Sequence, residues 1–177
     1  MNVVAHFEKV SYEQFEKDWV ETFDIDLSED NEWMKDHIRN IYDSIRLPKR
    51  STSGSAGYDF FAPNRFIVRS LESYKIPTGI RCRIENGWVL TAFPRSGLGF
   101  KYGIRLANTV GIIDSDYYYA DNEGHIFIKL VNDSSISKAI EIDRGKAFAQ
   151  GIFLPFGVTD DDTADGVRVG GFGSTDK

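Results

Sequence analysis

The chain has one cysteine, Cys82, no apolar run longer than a few residues, and neither glycine nor proline before Pro48. One thiol cannot close an internal disulfide. His6, His37 and His125 are scattered at no zinc-like spacing, so no structural metal is expected. The short apolar runs speak against a membrane-spanning helix, and the start MNVVAHFEKV lacks the basic and apolar regions of a secretion signal. The expectation is a cytoplasmic protein without membrane contact. A net charge of −6 also argues against nucleic acid as the main partner.

What is present divides at Pro48. Residues 1–47 carry 12 acids against five bases, whereas residues 48–177 sum to +1 and hold all 16 glycines and all five prolines. With 41% hydrophobic residues, the 177-residue chain can bury a core. The expected division is an acidic helical extension (1–47), a β domain (48–165) and a C-terminal arm (166–177). In the extension, Ser11 opens a Ser-x-x-Gln box before Tyr12, Phe15, Trp19 and Phe23, whose spacing predicts a helix. A second helix is expected from about Ser28, with Glu29, Asp30 and Glu32 in its first turn. Its apolar stripe would be Met34, His37, Ile38, Ile41 and Ile45, ended by Pro48. The pair reads as a helical hairpin laid on the main domain, with Trp19 and Trp33 as packing residues. A protein-partner surface is the competing reading.

From Ser55 onward, apolar segments alternate with Gly, Pro, Asn and Asp clusters. Strands are predicted at 58–62, 65–69, 88–93, 111–113, 125–132, 139–142 and 147–156. The fold class expected is mainly β, a sandwich or barrel. Ile126, Ile128 and Leu130 share one face of their strand and Phe127, Lys129 and Val131 the other, so both faces are partly covered.

No GxxxxGK[ST] loop occurs, and Gly97, Gly99 and Gly103 miss the GxGxxG spacing and precede no predicted helix. Pro94-Arg95-Ser96-Gly97 joins a guanidinium, a hydroxyl and a free backbone, which suits phosphate oxygens or an ordinary turn. Asp114 and Asp116, two apart in Gly111-Ile-Ile-Asp-Ser-Asp-Tyr117, point to one side if the strand continues. One of them could serve as a general base, or both could form a turn. Cys82 lies between Arg81 and Arg83 with no sequence neighbour to activate it and reads as a strand residue.

Five segments taken together, in this order, are specific. They are Ser53–Ala62, Pro94–Ile104, Asn108 with Gly111–Tyr117 running on to Asn132, Arg144–Gln150, and Gly170-Gly-Phe172-Gly-Ser-Thr175. The set resembles the five motifs of the homotrimeric dUTPase family over residues 48–177. The resemblance implies a jelly-roll-like β fold (β-clip) and three active sites, each shared by three subunits. It also implies Mg²⁺-dependent hydrolysis of dUTP to dUMP and pyrophosphate. By that resemblance, Asp114 deprotonates the attacking water, and Tyr117 packs against deoxyribose and excludes a 2′-hydroxyl. Asn108 and the hairpin through Gly111 and Ile113 read uracil. Arg95, Ser96, Gly97 and Gln150 bind phosphates, and Asp59 holds the water shell of Mg²⁺. Phe172, Gly173, Ser174 and Thr175 form a mobile arm that closes over the nucleotide.

Three departures stand out. Tyr118–Glu123 intervenes after the third motif, read as a lengthened hairpin tip; Lys146-Ala-Phe replaces Arg-Ile in the fourth, read as a packing change. In the fifth, Val167 stands where the family has arginine, with Arg168 one residue later as the candidate replacement. The rival readings are a dCTP deaminase, built on the same fold but lacking the GIIDSDY form, and a nucleotide-binding regulator acting through residues 1–47.

Overall fold

The computed structural model describes residues 2–27, 31–134, 138–166, 168 and 170. It begins with β1 (Ala5–Lys9), a strand that the acidic composition of the extension had hidden. α1 (Tyr12–Phe23) and α2 (Glu32–Asp43) follow. Then come β2 (Lys49–Arg50), β3 (Tyr58–Phe61), β4 (Phe66–Val68), β5 (Ser73–Pro77), β6 (Ile80–Ile84) and β7 (Trp88–Pro94). After α3 (Ser96–Tyr102) come β8 (Ile104–Leu106) and β9 (Gly111–Ile113), a 3₁₀ turn at Ser115–Tyr119, and β10 (Phe127–Asn132), β11 (Ile140–Ile142) and β12 (Ala147–Pro155). The fold is mainly β with N-terminal helices, as expected, and its sheets do not close into a barrel.

Ser11 caps α1 by accepting the Gln14 backbone N–H at 3.1 Å. The return arm of the box is absent, because Gln14 Nε2 donates to Asp18 instead and the Ser11 N–H goes to Glu123. α2 starts at Glu32 with Asn31 as its N-cap, so the expected start near Ser28 is corrected; Ser28, Glu29 and Asp30 lie outside the described residues. Ile38 and Ile41 are buried as the stripe predicts, but His37 is exposed and stacks on Trp33. Trp33 is 69% exposed, so it does not pack inward as expected.

The extension shares the main core. Val10, Phe15, Ile38 and Ile41 are essentially inaccessible. Each such burial contributes on the order of 1.5–3 kcal/mol, enough to dock the unit. Gly79 records how close the docking is: its φ is +70°, and a Cβ there would lie 2.2 Å from Ile45 Cδ1. β1 pairs antiparallel with β6, a strand outside the predicted segments although Ile80, Cys82 and Ile84 alternate with Arg81 and Arg83 and face inward. Cys82 is an ordinary strand residue whose thiol burial pushes up to about 12, which leaves it unreactive.

The largest sheet runs β2-β3-β12-β7-β9. Its register, with Leu90 opposite Ile113 and Ala92 opposite Gly111, positions everything that follows. Asp114 leaves the sheet beside the start of β7, and Arg95 follows the end of the same strand. At ~3.3 Å per residue, the roughly six intervening positions hold these two residues on the order of 20 Å apart.

Candidate active site

Two clusters hold the predicted site residues. The first surrounds a cavity of about 620 Å³ lined by Asn108, Gly111, Ile113, Asp114, Tyr117 and Arg168, together with Lys75, Phe127 and Lys129. The Asn108–Thr109 turn links β8 to β9, with Thr109 at φ +65° and its N–H donating to Leu106 O at 3.1 Å. Extended backbone at Asp114 ends β9 and starts the 3₁₀ turn. The two carboxylates do converge, though through a turn rather than a continuing strand. Arg168 Nη2 donates to Asp114 Oδ2 at 2.7 Å, and its Nε lies 3.1 Å from Asp116 Oδ1 without hydrogen-bond alignment.

Tyr117 is 6% exposed and forms one wall of the cavity. Its hydroxyl donates to His125 O at 2.7 Å and accepts from Asn122 Nδ2 at 2.8 Å. Burial pushes the phenol above its ordinary range, which keeps it a donor. Gly124, at φ +70°, allows the chain to turn back under this ring, since a Cβ there would meet Tyr117 O at 2.7 Å. Tyr118–Glu123 is therefore not a lengthened hairpin tip. It is the end of the 3₁₀ turn plus a tight return that packs against the N-terminal unit.

The second cluster lies at the opposite end of the large sheet. Asp59 on β3 pairs in register with Gln150 on β12, and Gln150 pairs in turn with Phe93 on β7. Arg95 Nε sits 3.4 Å from Asp59 Oδ1, Ser51 Oγ donates to Asp59 Oδ2 at 2.9 Å, and Gln150 Nε2 donates to Pro94 O at 3.3 Å. Arg95 is the N-cap of α3, a helix the sequence reading did not predict, so Ser96 and Gly97 form an exposed first turn with backbone N–H groups free of strand pairing. Such a turn suits an anion. In the fourth motif Phe148 is fully buried and Lys146 exposed, so the departure there changes packing at one position only.

Phe172, Gly173, Ser174, Thr175 and Val167 lie outside the described residues. Asn122 and His125 were missed. The usable signal for His125 was strand alternation, which puts it with Phe127 on the face away from Ile126 and Ile128; the two rings lie 4.5 Å apart. Among the described residues, no group of three or more His, Cys, Asp or Glu could hold a metal ion, and no helix is long and apolar enough to cross a membrane.

This geometry, a tyrosine-walled pocket beside paired carboxylates and a separate exposed turn at the start of α3, is accompanied by similarity to known proteins. The dUTPase family model matches residues 43–175. A deoxyuridine 5′-triphosphate nucleotidohydrolase of Lactococcus lactis is 42% identical over 134 residues, covering 74% of this chain and 88% of that protein. One from Nautilia profundicola is 36% identical over 149 residues, covering 81% and 100%. The crystal structure of a Streptococcus mutans dUTPase superposes with a TM-score of 0.59 at 37% identity, covering 67% of this chain and 91% of that one. A dUTPase from S. aureus phage phi11, 22% identical with a TM-score of 0.57 over 72% and 94%, shares the fold. The chain belongs to the dUTPase family.

Proposed function

We propose that the protein hydrolyses dUTP to dUMP and pyrophosphate, and that the active site is assembled from copies of the chain in a homotrimer. The observation that carries the reading is the joining of Asp114, Tyr117 and Asn108 around one cavity by the motif order of the family. Uracil is read by Asn108 and the backbone from Gly111 to Ile113. The ring of Tyr117 stands where a 2′-hydroxyl would project. Asp114 takes a proton from water as the water oxygen bonds to the α-phosphorus and the bond from that phosphorus to the β-phosphate oxygen breaks, releasing pyrophosphate. This is positioning and charge neutralisation without a covalent protein intermediate. Arg168, already held on Asp114 and Asp116, serves an anionic position and would exchange carboxylate for phosphate.

Arg95, Ser96, Gly97 and Gln150 are proposed to bind the remaining phosphates, and Phe172, Gly173, Ser174 and Thr175 to cover the nucleotide. The separation of Arg95 from Asp114 along β7 supports a site completed by another copy, and exposed Ile112 and Phe100 supply apolar surface for such an assembly. Mg²⁺ fits this chain as a passenger on the triphosphate. Asp59, a single carboxylate flanked by Arg95 and Ser51, suits one coordinated water better than a bare ion. When bound, the ion neutralises phosphate charge. The proposed organisation keeps residues 1–47 as the extension, 48–165 as the catalytic domain and 166–177 as the covering segment, in a cytoplasmic enzyme consistent with its lone reduced thiol.

The test is release of pyrophosphate from dUTP, dTTP, dCTP and UTP with Mg²⁺. We expect dUTP to be favoured by about 100-fold or more in kcat/KM over each of the others. Ammonia released from dCTP, or equal use of UTP, would overturn the assignment.

A further inference from the structure

Two features stand outside the family pattern, the N-terminal β1-α1-α2 unit and the Tyr118–Glu123 insert, and they are bonded to each other. Glu123 grips the start of α1 with both oxygens, accepting Ser11 N–H and Ser11 Oγ–H at 2.7 Å each. Burial would raise its carboxyl, but these bonds and Arg81 outweigh that and hold it below the ordinary range. Tyr118 Oη donates to Glu8 on β1 at 3.1 Å. Just after the insert, His125, whose side chain is 0% exposed, adds a buried contact to the same unit.

His125 Nε2 accepts the Gly79 backbone N–H at 2.7 Å, which fixes the proton on Nδ1. Nδ1–H then donates to Asp18 Oδ2 on α1, 2.5 Å away, an oxygen also reached by Gln14 Nε2 at 2.9 Å. The pair is a hydrogen bond from a neutral imidazole, since burial keeps His125 below the ordinary histidine range against the pull of Asp18. The carbonyl of the same residue accepts the Tyr117 hydroxyl. An unbroken chain of buried contacts therefore runs from α1 to the wall of the cavity.

We infer that Asp18 is a positioning residue for Tyr117, acting through His125, so that the N-terminal unit sets sugar discrimination at the active site. The inference rests on the proposed dUTP reading. Without Asp18, His125 Nδ1–H is a buried donor with no carboxylate, and the imidazole must turn to find another partner. That turn surrenders the Gly79 bond and shifts the backbone on which Tyr117 hangs. Because the ring contacts sugar in both ground and transition states, the loss falls on KM and selectivity more than on kcat.

The test compares full-length Asp18→Ala and Asp18→Asn with Ile41→Ala, which loosens α2 without touching His125. For Asp18→Ala we expect roughly a tenfold rise in KM for dUTP, kcat within about threefold, and roughly a tenfold fall in preference over UTP. Asp18→Asn keeps an acceptor for Nδ1–H and restores most of both, and Ile41→Ala lowers Tm alone. Should Asp18→Ala fail to fold, Asp18→Glu keeps the charge, pushes the imidazole by one methylene and is expected to show the same losses. Unchanged KM and selectivity in the Asp18 variant, or equal changes in Ile41→Ala, would overturn the inference. Tyrosine ring resonances supply a readout independent of turnover. If the parent does not hydrolyse dUTP, the functional proposal fails; a displaced Tyr117 ring in the Asp18 variant still upholds the positioning role, and an unmoved ring overturns it.

Discussion

Replacing Asp114 by Asn is expected to lower turnover of dUTP roughly 100-fold or more while leaving nucleotide binding and assembly in place. Asn keeps the shape of the carboxylate and can still accept from the Arg168 guanidinium, whose Nη2 lies 2.7 Å from Asp114 Oδ2. What it cannot do is take a proton. Asp116, 3.1 Å from Arg168 Nε, follows from the next turn of chain and does not substitute for a base at the end of β9. The measurement is steady-state pyrophosphate release beside binding of a non-hydrolysable dUTP analogue. Near-parental turnover with the analogue still bound would remove Asp114 from the mechanism.

Arg95→Ala is expected to reduce kcat/KM by about 10²–10³-fold, the scale of losing one preorganised charge at the phosphates. Arg95 Nε lies 3.4 Å from Asp59 Oδ1, so truncation also leaves that carboxylate without its cation beside an arriving polyanion. Arg95→Lys restores the charge but not the planar fork and should fall between the two. Oligomeric state by light scattering is expected to match the parent, because the side chain is exposed at the first turn of α3. A loss of less than about threefold would remove Arg95 from phosphate binding.

How much of this was legible in the sequence follows from which forces decide each element. α1 was readable because its cap and stripe are local: Ser11 caps it, and Phe15 and Trp19 are buried where the spacing put them. α3 was not, because Gly97 and Gly99 give it poor intrinsic propensity and tertiary context holds it. β1 and β6 form by pairing residues about 75 positions apart, Ala5 with Ile84 through Lys9 with Ile80, and no local pattern announces such a pair. The motif residues could be named in order, yet the sequence could not show that Asp114 and Arg95 leave opposite ends of one strand pairing. The Asp18–His125 bond was likewise invisible, since it joins residues 107 positions apart and exists only once helix and strand are brought together.

The shared site is the central claim, and it is tested by mixing the two variants. Asp114→Asn chains retain Arg95, and Arg95→Ala chains retain Asp114, so each homotrimer alone should be nearly inactive. Co-expressed in equal amounts and purified together, they should recover about a quarter of parental turnover, because random assembly joins an intact Asp114 to an intact Arg95 from another copy at that fraction of all sites. Mixed trimers as inactive as either variant alone would show that both residues must come from one chain and would contradict the account.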